Sequence, residues 1–133
     1  MYITRRERFS SAHKLYNHQL NDDDNYKLFG KCSTMHGHNY ELYVTITGNL
    51  NPKTGFIIDL KNLKNIIQNK ILKKIDHNDI NEVDFMRGQI TSTENLCIAI
   101  WKELQEPIEK IGAKLYKIKL QETENNSFEY LGK

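Results

Sequence analysis

Cysteine is scarce: the chain of 133 residues has two, Cys32 and Cys97. That excludes a disulfide-built scaffold. The two also sit in unlike surroundings, Cys32 in a Gly/Ser/Thr-rich loop and Cys97 in an apolar helical pattern, so no bridge between them is expected. Long apolar runs are missing, and none approaches the roughly 20 residues that cross a bilayer. The opening Met1-Tyr-Ile-Thr-Arg-Arg6 lacks the apolar core of a signal peptide. Cytoplasm is the expected location, with no membrane partner. Charge of one sign is missing too. The net is +2 with both signs interspersed, which gives no reason to expect a nucleic acid as partner. There is no internal repeat, linker or low-complexity stretch. What is present, 38% hydrophobic and 27% charged residues, reads as one soluble domain over 1–133 with its own core.

Hydrophobic spacing gives the order of elements. Residues 2 to 12 read as a strand, with Ile3 and Phe9 on one parity and Arg6 and Arg8 on the other. A long connection, 14 to 35, follows; Asn21-Asp-Asp-Asp-Asn25 caps a short helix there, and the connection reads as the wall of a site. Residues 38 to 48 alternate most clearly: Tyr40, Leu42, Val44 and Ile46 against Glu41, Tyr43, Thr45 and Thr47. After the turn Asn51-Pro-Lys-Thr-Gly55, the apolar Phe56-Ile-Ile58 is expected as a strand in a hairpin with 38 to 48. Asp59 then caps a helix to about Lys74, on the stripe Leu60, Leu63, Ile67 and Ile71. Thr91-Ser-Thr-Glu94 matches a capping box ahead of a second helix, which Pro107 should end or kink. Residues 115 to 122 alternate again, and Ser127 to Leu131 is a last strand. This order fits an α+β layer, one antiparallel sheet with helices on one face.

The chemistry gathers at Cys32-Ser-Thr-Met-His-Gly-His38. On a strand, His36 and His38 point to one face, and they share the parity of the apolar face. Two such imidazoles can converge on an ion; His13, His18 and His77 are candidates for the third donor of a catalytic zinc site. Cys32 lies four positions before His36, and a thiol near a cation is a ready base or nucleophile. Glu122 falls on the apolar parity at a strand end, where a carboxylate requires a partner or a ligand. Lys14, Lys27, Lys31 and Arg8 are candidates for an anionic substrate.

Five separated motifs then come into one frame. Phe9-Ser-Ser-Ala-His13, Cys32-x3-His36-Gly-His38-Asn39, Ile75-Asp-His77, Ser92-Thr-Glu-Asn95 and Glu122-Thr123 resemble the 6-pyruvoyltetrahydropterin synthase family, which includes the bacterial 6-carboxytetrahydropterin synthases of queuosine biosynthesis. The resemblance runs from about residue 3 to 131. It implies the tunnelling or T-fold, an antiparallel four-stranded sheet with two helices on one side. It implies trimers stacked into a hexamer, with active sites between subunits. It implies zinc held by His13, His36 and His38, a catalytic thiol at Cys32 and catalytic partners at Asp76 and His77. Glu122 becomes the pterin anchor, helped by Ser92, Thr93 and Glu94. His18 matches no motif.

The implied substrate is 7,8-dihydroneopterin triphosphate. The three-residue gap between Cys32 and His36 is that of the bacterial carboxy synthases and favours 6-carboxytetrahydropterin, acetaldehyde and triphosphate as products. Leu28-Phe-Gly-Lys-Cys32, Ser92-Thr-Glu-Asn95 with Ile100-Trp101, and Tyr116-Lys-Ile-Lys119 look more like the animal type. They favour the alternative, 6-pyruvoyltetrahydropterin with loss of triphosphate. A non-catalytic zinc or pterin-binding module is the remaining alternative; an intact Cys32 with Asp76-His77 argues against it.

Overall fold

Period-two alternation builds the centre of the molecule. The computed structural model describes residues 1–133. Strands β1 (Tyr2–His13), β2 (His36–Thr47), β3 (Lys114–Gln121) and β4 (Ser127–Tyr130) form one antiparallel sheet in the order β1-β2-β3-β4. One face carries Phe9, Tyr40, Leu42, Val44, Ile46, Ile118 and Leu120, all buried. The other carries charge, with Arg6 bound to Glu41 at 2.9 Å across β1 and β2. Apolar side chains drive burial of the first face, and the second needs no cover beyond water. The register sets His13 opposite His36 and Ser11 opposite His38, so all three histidines stand at one end of the β1–β2 pair.

Two helical units cover the apolar face. The first runs from α2 (Leu60–Ile67) through a π turn, Gln68–Leu72, into α3 (Lys73–Ile75); an earlier helix, α1 (Asp22–Phe29), lies in the long connection. Asp59 caps α2 by accepting from the Lys61 N–H at 2.9 Å, and Leu63, Ile67, Ile71 and Ile75 are buried. The second unit is α4 (Thr93–Lys110), which buries Leu96, Cys97, Ile100, Leu104 and Ile108. Both cysteines are unpaired; burial raises the pKa of the Cys97 thiol to about 12. No helix is long and apolar enough to cross a membrane.

Three local expectations fail for physical reasons. Phe56-Ile-Ile58 forms no strand, because β1 and β3 already occupy both edges of β2. Ile57 and Ile58 instead tuck against the core, and Gly48 makes room: a Cβ there would stand 2.7 Å from the Ile57 side chain. The capping box is shifted by one residue. Ser92, not Thr91, is the cap, accepting from the Asn95 N–H at 3.2 Å. Pro107 ends nothing; α4 continues to Lys110, with Ile108 completely buried on the sheet side. Burial of that isoleucine offsets part of what the missing N–H costs. Gly112, at φ +94°, closes the turn beyond it.

Candidate active site

The first histidine is set by backbone. His13 is the last residue of β1, and its Nδ1 meets the Thr91 carbonyl at 2.7 Å. A carbonyl oxygen only accepts, so Nδ1 carries the proton and Nε2 keeps its lone pair. That Nε2 is buried and has no hydrogen-bond partner. Burial also lowers the pKa of the ring, opposed by the bond to Thr91. His36 repeats the arrangement: its Nδ1 donates to the Thr34 carbonyl at 2.8 Å, which leaves Nε2 free as an acceptor. His38 stands two residues on, with its ring 5.1 Å from that of His36 and 5.3 Å from that of His13.

One donor nitrogen from each ring lies within 4.8 Å of the others. Three ring nitrogens so close together suit one shared cation. A buried lone pair without a partner costs free energy that an ion would recover. Neutral imidazoles with the second nitrogen held by a carbonyl are the usual presentation of a zinc-type ligand. The three histidines therefore fit a metal ion, and His18 and His77 do not belong to the group. His18 is exposed beside Tyr16, with ring centroids 5.2 Å apart.

The histidines line a cavity of about 260 Å³ that also holds Cys32, Ser92, Thr93, Glu94 and Glu122, with Leu15 and Phe128 as apolar walls. Cys32 is exposed, on the 3₁₀ turn Gly30–Ser33, and its carbonyl accepts from the Leu15 N–H at 2.7 Å. That bond ties the long connection to the strand end. Glu122 follows β3 directly. It is paired neither with Lys119 nor with Arg8: its Oε2 accepts from the Thr93 hydroxyl and lies 4.0 Å from His38 Nε2. Ser92 commits its hydroxyl to the helix cap, while Glu94 is exposed at the rim.

Asp76 and His77 are not brought into this cavity. They leave α3 along the outer edge of β1. The Ser10 N–H donates to Asp76 Oδ1 at 2.9 Å, and the Ser10 carbonyl accepts from the His77 N–H at 2.7 Å. These two bonds hold His77 at φ +61°, a conformation that a non-glycine residue adopts at a cost. Its ring contacts Asp76 Oδ1 at 3.0 Å and is largely exposed; it lines a groove with Ser10, Gly37 and Asn39 that does not include Cys32. Of the cations, Lys14 lies over the Tyr16 ring at 5.0 Å, and Arg8 opens on the charged side of the sheet. No sequence pattern marks Thr34 or Leu15, and the capping box that includes Thr91 does not point to the role of its carbonyl.

The geometry has close relatives. A family model described as 6-pyruvoyl tetrahydropterin synthase matches residues 2–133. A 6-pyruvoyl tetrahydrobiopterin synthase of Dictyostelium discoideum is 42% identical over 131 residues, covering 98% of this chain and 95% of that one. A provisionally named 6-carboxy-5,6,7,8-tetrahydropterin synthase of Archaeoglobus fulgidus is 31% identical over 117 residues, covering 88% of this chain and 84% of that one. The structure of the Caenorhabditis elegans 6-pyruvoyl tetrahydropterin synthase superposes with a TM-score of 0.88 at 32% identity, covering 100% of this chain and 96% of that one. With the four-stranded antiparallel sheet and its covering helices, the chain belongs to the 6-pyruvoyl tetrahydropterin synthase family and is an enzyme of the lyase type.

Proposed function

We propose that this chain is a zinc-dependent 6-pyruvoyltetrahydropterin synthase, one domain over residues 1–133, acting on 7,8-dihydroneopterin triphosphate. The observation that carries the reading is the convergence of the His13, His36 and His38 nitrogens on the cavity that also holds Glu122 and Cys32. The pyruvoyl product is supported by the Dictyostelium and Caenorhabditis relatives. It replaces the carboxy product as the leading reading. The spacing Cys32-x3-His36 still favours the carboxy product, which is kept as the second reading.

The residues divide the work. Glu122 accepts two N–H bonds from the amino-pyrimidinone edge of the ring, and Thr93 holds the carboxylate for that task. Ser92 fixes the start of α4, and Glu94 closes the rim. Cys32, as thiolate, takes the proton from the side-chain carbon next to the ring imine. His77, held by Asp76, moves the proton of the side-chain hydroxyl. A zinc ion on the three histidines would supply Lewis acidity to the side-chain oxygens. Loss of triphosphate with internal redox then gives the pyruvoyl side chain.

His77 and Cys32 of one chain line different cavities, so in this reading His77 serves the cavity of a neighbouring copy. This supports an assembly with sites between subunits, a hexamer of two trimers. The test is product analysis of zinc-loaded protein supplied with dihydroneopterin triphosphate. Triphosphate without acetaldehyde is expected. Acetaldehyde in equal amount would establish the carboxy reaction instead, and absence of triphosphate release would overturn both.

A further inference from the structure

Two buried polar side-chain atoms lack a hydrogen-bond partner: His13 Nε2, accounted for by the metal site, and the hydroxyl of Tyr40. Tyr40 is 1% exposed, its ring stacked on Phe9 with centroids 4.8 Å apart and set edge-on to His38 at 5.6 Å. It is thus fixed on β2, directly behind the catalytic cavity. One step beyond the Glu41–Gln121 pair of β2 and β3, its neighbour across the sheet is Glu122, which holds the Thr93 hydroxyl. Phenylalanine would fill the same space without burying an idle hydroxyl, so packing does not account for it.

The direction of the hydrogen bonds follows from proton counting. The single hydroxyl proton of Thr93 goes to Glu122. Toward Tyr40, Thr93 has only lone pairs to offer, and Tyr40 has a proton to give. We propose that Tyr40 is a positioning residue: its hydroxyl donates to Thr93 when a pterin ring is seated on Glu122, and so holds that carboxylate through Thr93. A seated ring fixes the carboxylate, the carboxylate fixes Thr93, and the idle donor behind them closes the chain. Each bond in such a chain polarises the next. Tyr40 is orphaned in the free protein and engaged in the complex, so its hydroxyl strengthens ring binding and not the resting fold. This rests on the reading of Glu122 as the ring anchor.

The test is a set of double-mutant cycles on the full-length protein, with unsubstituted pterin as probe and its fluorescence as readout. Glu122→Gln should weaken pterin binding; if it does not, the anchor reading fails and this inference with it. Tyr40→Phe should weaken binding roughly fivefold to tenfold, raise KM more than it lowers kcat, and leave zinc content and thermal midpoint no lower than wild type. Added to Glu122→Gln, or to the isosteric Thr93→Val, it should cost nothing further. Wild-type pterin affinity in Tyr40→Phe, with Glu122→Gln weakened, would refute the role of Tyr40 alone. So would the same fold-loss in all three backgrounds.

Discussion

Zinc removed by a chelator and then restored should move the thermal midpoint of this protein by about 10 °C. An ion held by the native histidines and not by the unfolded chain stabilises by about 2.7 kcal/mol when its free concentration is a hundred times the dissociation constant. Unfolding entropy of roughly 2.1 cal/mol/K per residue, over 133 residues, amounts to roughly 0.28 kcal/mol/K. The quotient is about 10 °C. The gain arises at His13, whose Nε2 is buried with an unused lone pair and whose ring cannot turn away without losing the Thr91 carbonyl. His13→Ala should abolish the shift. The variant also strands the Thr91 carbonyl, so its metal-free midpoint falls, and the comparison must be made between zinc and chelator within each variant. Scanning calorimetry with metal content measured in parallel reads both. A wild-type midpoint indifferent to zinc, or an equal shift in His13→Ala, refutes the three-histidine site.

Three further outcomes are expected. Cys32→Ala should bind zinc as wild type and lose turnover by about 10²- to 10⁴-fold, the usual contribution of a positioned base; normal turnover removes Cys32 from the chemistry. Co-expressed Cys32→Ala and His77→Ala chains should recover activity that neither shows alone, since mixed assemblies place an intact Cys32 beside an intact His77; no recovery would mean that each chain completes its own site. In chelated protein, stability should fall as pH drops below about 6.5, the ordinary histidine value. The sign follows from His13: its native pKa is lowered, chiefly by burial, so the unfolded chain binds the proton first and acid favours unfolding. The penalty is absent above the unfolded value and complete below the native one. Urea midpoints across that range read it, and a His13→Asn variant should show a shallower fall.

Periodicity is the part of the fold and site that is legible in the sequence. The parity that His36 and His38 share with Tyr40 to Ile46 is enough to place both rings at the end of the buried face. The same parity flags Glu122. Phe56-Ile-Ile58 misleads because an apolar triplet does not say whether a strand edge is free, and here both edges of β2 are taken. The capping register slips because Thr91 and Ser92 are equally good caps, and the choice falls to the site: Thr91 is drawn into the bonds with His13 and Lys14. Backbone carbonyls leave no mark on a sequence, so the groups that fix the tautomers of His13 and His36 cannot be read from it. Asp76-His77 is legible as a pair. The side of β1 it faces is not, because that depends on how α3 returns to the sheet edge.

The opposed placement of His13 and His36 has a consequence for how the sheet is proofread. The two residues are 23 positions apart in sequence, yet they are direct neighbours across β1 and β2. A slip of one residue between the strands would send one imidazole to the opposite face and leave at most a broken set of donors. An ion that needed all three nitrogens would reject such mispaired forms and favour one alignment. It would act as an inspection gauge for the longest ladder in the molecule, and the amides of Ser11 to His13 and His36 to His38 are where its arrival should be recorded as slowed hydrogen exchange.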